Sequence, residues 1–119
     1  MDTSTTIQHL KDLMAAFVSE RDWDQFHSPK NISMNMAVET AELMEFFIWH
    51  EGKESQNLVE AHRDAVEQEI ADVMLSILAF CNATNIDLCS AVKRKLVLTG
   101  QKYPIEKVKG RLTKYTHIK

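Results

Sequence analysis

Five acidic residues pose the chemical question in this chain of 119 residues. Glu39, Glu42 and Glu45 fall three apart in VETAELMEFFIWH, and Glu69 and Asp72 fall three apart in EQEIADV. On a helix, that spacing puts side chains on nearly one face, about 5–6 Å apart at Cβ. Each segment therefore offers a carboxylate pair to one spot. Helical glutamates ordinarily face water, and that reading suits Glu51, Glu54 and Glu60. Around Glu39 and Glu42, however, Val38, Ala41, Leu43, Met44, Phe46 and Phe47 leave only a narrow polar strip, and Asp72 runs straight into Val73, Met74 and Leu75. Two such strips facing each other would bring like charges into a cleft, with no Lys or Arg in either strip to offset them. A divalent cation is the economical neutraliser. All-oxygen ligation, without Cys or His at a matching spacing, favours Mg²⁺, with Mn²⁺ as a substitute. A di-iron bundle needs Glu-x-x-His on two helices. This sequence has none, its nearest pattern being Asp24-x-x-His27 in a loop.

The elements that must position these groups follow from periodicity and punctuation. A first helix is expected from about Thr5 to Glu20, with Ile7, Leu10, Leu13, Met14, Phe17 and Val18 as its apolar stripe. The loop RDWDQFHSPKN, residues 21–31, holds Trp23, Phe26 and His27 beside Arg21 and Lys30. A loop keeps aromatics when they pack inward or face a ligand. A second helix runs from Asn31 or Ser33 to about His50, stopping before Gly52. A third covers roughly Leu58 to Ala83, with Asn85 as its C-terminal cap. It has no charge between Asp72 and Asp87, which makes it the most buried helix. Asp87 caps a fourth, Leu88 to about Gln101, which ends before Pro104. Residues 104–119 form a basic tail. No segment alternates with a period of two, so the fold class is all-α, a four-helix bundle-like protomer in a single domain spanning 1–119.

Bulk properties narrow the function classes. A net charge of -3 argues against general nucleic-acid binding. The N-terminus lacks a basic start followed by an apolar run, so no secretory signal is expected. The uncharged stretch Val73–Ile86 is shorter than the ~20 residues that span a bilayer. A cytoplasmic protein without membrane attachment is the expectation, with Cys81 and Cys89 as buried, reduced thiols.

The blocks ERDWDQFHSPKN, ETAELMEFFIWH, EIADVMLSIL, IDLCSAVKRKL, QKYPIEKVKG and the terminal KYT, in that order, resemble the MazG-like all-α nucleoside triphosphate pyrophosphatases. The dCTP pyrophosphatase branch is the most similar. The resemblance covers nearly the whole chain. It implies hydrolysis between the α and β phosphates of dCTP or a modified dCTP, with release of pyrophosphate and cleansing of the nucleotide pool. It further implies Glu39, Glu42, Glu69 and Asp72 as Mg²⁺ ligands, with Glu45 as an outer base or positioning group. Lys30, Lys95 and Lys102, with Tyr103, would meet the phosphates. Trp23, Phe26, His27 and Trp49 would line the base pocket, with His27 or Asn31 reading the base edge. Four departures stand out: Ser76 where the branch commonly has Tyr, Val97 and Thr99 where it carries Asp and Asn, and Met14 where some relatives place His. Ser76, Val97 and Thr99 motivate an alternative, a non-catalytic helical scaffold or regulator. The succession Phe46, Phe47, Ile48 and Trp49 points apolar groups around most of a helix, so some of them should meet another subunit, and the resemblance implies a homo-oligomer, a tetramer built from two dimers.

Overall fold

The computed structural model describes all 119 residues, and every regular element in it is a helix, as the all-α expectation required. They form two compact units, Met1–Asn85 and Ile86–Lys119. In the first, Thr6 opens α1 (Ile7–Glu20) by accepting from the His9 N–H at 3.0 Å. Asp22, at φ 53, turns the chain out of that helix. Ser28 caps α2 (Pro29–Glu45) by accepting from the Asn31 N–H at 3.2 Å, and Pro29 fits the first turn, where no intrahelical donor is needed. The helix thus starts before the expected Asn31.

It also ends earlier. Phe46 to His50 continue as tight turns, with Phe47 N–H donating to Met44 O and His50 N–H to Phe47 O. Apolar residues in succession looked helical in sequence, but here they fold the chain back on itself. The expected third helix is in fact two, α3 (Ser55–Ala61) and α4 (Arg63–Thr84), separated at His62. No Pro or Gly marks that bend. His62 adopts φ −123 and ψ 31, and its ring lies 6.0 Å from Phe46. Asn85 ends α4 in the left-handed conformation, as its expected cap role demands.

Packing centres on α4, with α2 and α1 laid against it. Val18, Ile32, Leu78, Ala79 and Cys81 are the buried apolar residues, and three of them belong to α4. The side-chain amide of Asn82 ties α4 to α1 by donating to Lys11 O at 2.9 Å.

In the second unit, Asp87 caps α5 (Leu88–Lys102) by accepting from the Ser90 N–H at 2.9 Å. A short α6 (Ile105–Val108) follows Pro104. Tyr103 and Tyr115 meet edge to face, and the Lys102 ammonium sits 4.7 Å over the Tyr115 ring. Cys89 is exposed, contrary to expectation, because α5 buries none of its residues. No single helix is long and apolar enough to cross a membrane.

Candidate active site

The carboxylates converge where α2 and α4 run side by side. Carboxylate oxygens of Glu39, Glu69 and Asp72 all lie within 4.8 Å of one another, and each residue is half-buried. One oxygen each of Glu39 and Glu69, the Oε2 atom, is enclosed without any hydrogen-bond partner. Buried acceptors are rarely left so, and an unpaired pair in one cluster points to a cation. Burial, first, pushes both carboxyls above their ordinary value of 4.5. A hydrogen bond with the Glu42 carboxyl adds to the shift, as do the charges of Glu42 and Asp72, reinforced by Glu69 on Glu39 and by Glu45 on Glu69. Every neighbour that perturbs these two groups is another acid. Three converging oxygens with two orphaned lone-pair sites fit a hard divalent ion.

Glu42 stands beside this trio rather than within it. It lines an adjoining hollow of about 390 Å³ with Glu45, Phe46 and Glu69. Glu45 is exposed at the end of α2.

Next to the trio opens a cavity of about 510 Å³, in the usual range for a small-molecule site. Glu39 and Asp72 form its acidic end, and Trp23, Phe26 and His27 reach it from the loop between α1 and α2. Asn31 lines it too, and its side-chain amide donates to Phe26 O at 3.0 Å, which fixes the loop against the helix. Trp23 is held edge-on to Phe17, with centroids 5.8 Å apart. The aromatic loop therefore faces the carboxylate cleft from within one unit.

Other expected residues fall elsewhere. Trp49 is 88% exposed beyond the end of α2 and does not line the cavity, because the turns after Glu45 carry it away from the helix face. Lys30 is exposed in the first turn of α2, outside the lining residues. Lys95, Lys102 and Tyr103 belong to the second unit. The lining also includes Met14 and Ser76, noticed in sequence only as departures, and Asn35, which went unnoticed. Asn35 lies four residues before Glu39 and Ser76 four after Asp72, a spacing that could have found both.

Residues 34–118 match the profile of the MazG-like family. The chain belongs to that family. It is 34% identical over 115 residues to dCTP pyrophosphatase 1 of Mus musculus, a match covering 95% of this chain and 68% of that protein. To dCTP pyrophosphatase 1 of Homo sapiens it is 32% identical over the same length. A pyrophosphatase from Archaeoglobus fulgidus, known from a crystal structure, superposes with a TM-score of 0.78 at 37% identity. That superposition covers 82% of this chain and 91% of the other. The MazG-like fold thus carries the carboxylate trio and the aromatic cavity described above.

Proposed function

We propose that this MazG-like chain is a nucleotide pyrophosphohydrolase that converts dCTP or a modified dCTP to the monophosphate and pyrophosphate. The observation that carries this reading is the meeting of Glu39, Glu69 and Asp72 beside an aromatic-lined cavity that Glu39 and Asp72 enter. The acids would hold Mg²⁺ or Mn²⁺, with Glu42 completing the set from the side. When bound, such ions screen a polyphosphate and make a bound water more acidic. The residues of the chain supply the rest. Trp23 and Phe26 offer faces on which a base stacks, a contact worth roughly 1–3 kcal/mol that discriminates poorly among bases. His27 and Asn31 stand beside them and can read a ring edge. Water attacks the α phosphorus, the bond to the bridging oxygen breaks, and pyrophosphate leaves. Glu45, which lines the same hollow as Glu69, would receive the proton lost by that water.

We place the protein in the cytoplasm as a homo-oligomer, a dimer of dimers. Support for association comes from Met34 and Val38, four apart on α2 and 58% and 53% exposed, and from Ile70 on α4 at 51%.

Pyrophosphate release from a panel of canonical and modified nucleoside triphosphates, with and without Mg²⁺, tests the activity. Turnover on dCTP that needs the metal and drops at least a hundredfold in Asp72→Asn is expected. Absence of turnover on every nucleotide, with association unchanged, would instead establish the scaffold alternative.

A further inference from the structure

Asn35 and Ser76 make one side-chain bond across the α2–α4 interface, and the nucleotide reading leaves it without a task. The Asn35 amide donates to Ser76 Oγ at 3.0 Å. Ser76 is only 5% exposed and is the one buried polar residue of the chain. Both residues line the aromatic cavity. A hydroxyl in the most apolar helix is costly unless its hydrogen-bonding capacity is used. Other helical hydroxyls in this unit donate to a carbonyl of the preceding turn, Ser33 to Lys30 at 2.7 Å, Thr40 to Met36 at 2.8 Å and Thr84 to Phe80 at 2.7 Å. Ser76 makes no such bond. Its oxygen accepts from Asn35, which leaves the serine hydroxyl able to donate and the Asn35 amide oxygen able to accept.

Position along the helices supplies the ligand group. Asn35 precedes Glu39 by four residues and Ser76 follows Asp72 by four, so the pair sits one turn, about 6 Å, along both helices from the carboxylates. Asn31, Ile32 and Ala79 form the next level, towards Phe26. A nucleotide with its phosphates at the acidic end presents its groups in the same order, phosphate, sugar, base. The level of Asn35 and Ser76 is that of the sugar. A sugar hydroxyl both accepts and donates, which matches a serine O–H donor beside an amide oxygen acceptor.

We propose that Asn35 and Ser76 clamp the 3′-hydroxyl of the bound nucleotide and make this site selective for a sugar that retains it. The inference rests on the nucleotide reading above for its ligand class, but not on turnover. Its test therefore uses binding first. Affinities for dCMP and 2′,3′-dideoxy-CMP, measured by calorimetry, should differ by about tenfold in the wild type, as expected for one net hydrogen-bond contribution. Ser76→Ala and Asn35→Ala should each shrink that ratio towards one, mainly by weakening dCMP. The kcat/KM ratio for dCTP over 2′,3′-dideoxy-CTP should collapse in parallel. Asn35 is exposed on α2, so its variant tests the clamp even if Ser76→Ala unfolds. A wild type indifferent to the 3′-hydroxyl overturns the proposal. So do variants that weaken both ligands equally, which would make the pair a structural tie, and so does failure of either monophosphate to bind. If neither triphosphate is hydrolysed, the proposed activity falls while the monophosphate ratio still decides the clamp.

Discussion

Glu39 and Glu69 bind protons more readily in the folded chain than in the unfolded one, since burial and neighbouring acids raise both above 4.5. Between that value and their raised folded values, the native state holds more protons. Stability therefore falls as pH rises through the window and levels off above it. Thermal melts of metal-free protein should show a midpoint that drops as pH rises above 4.5, and Glu39→Gln should flatten this dependence. Mg²⁺ should reverse the drop, because a cation replaces the protons. A melting temperature that rises over the same window would contradict the cluster. The same linkage predicts proton release on metal binding within that window. Calorimetric titration of Mg²⁺ in two buffers of different ionisation enthalpy should then give different apparent heats, and equal heats would mean that no proton leaves.

Two helices bring these acids together, so the start of α2 and the packing of α4 matter to the site at a distance. Ser28 satisfies an otherwise unpaired N–H of α2, and Ser28→Ala should cost about 1 kcal/mol in denaturant melts while sparing metal binding. Leu78 is 1% exposed at the centre of α4. Its truncation to Ala should cost about 3–5 kcal/mol through the cavity left behind. A loss for Leu78→Ala no larger than that for Ser28→Ala would refute the placement of the core on α4. Much of this level was legible in the sequence. The i, i+3 acids, the uncharged run after Asp72, and the caps at Asn85 and Asp87 each follow from local rules. The break at His62 was not legible, because no Pro or Gly causes it and its ring contact with Phe46 is tertiary. Phe46 to Trp49 misled for the opposite reason, since apolar identity is the same in a turn as in a helix. Within the site, Glu39, Glu69 and Asp72 could be read from spacing. Asn35 could not be paired with Ser76 until the register of α2 against α4 was known.

At the scale of the whole molecule, charge is divided between the two units. Residues 86–119 carry nine Lys and Arg against two acids, a formal +7, whereas residues 1–85 carry five against fifteen, a formal −10. The small net charge thus conceals two strongly charged surfaces of opposite sign. Copies of such a chain attract one another wherever the basic unit of one can approach the acidic unit of another, and salt weakens that attraction. Apolar burial responds differently, since salts that are excluded from protein surfaces strengthen it. The exposed Met34, Val38 and Ile70 would supply the apolar contribution on the first unit, and Leu96 and Val97, 67% and 63% exposed, would supply it on the second. If association rests mainly on the apolar faces, sedimentation velocity should show the same oligomer in 0.05 M and 0.5 M NaCl, and Val38→Glu should dissociate it in both. If the charge division dominates, high salt alone should shift the boundary towards smaller species. We expect salt to reduce a tetramer to dimers while the dimer persists, because only the apolar faces survive screening. A monomer at working protein concentration in low salt would remove the basis for any assembly.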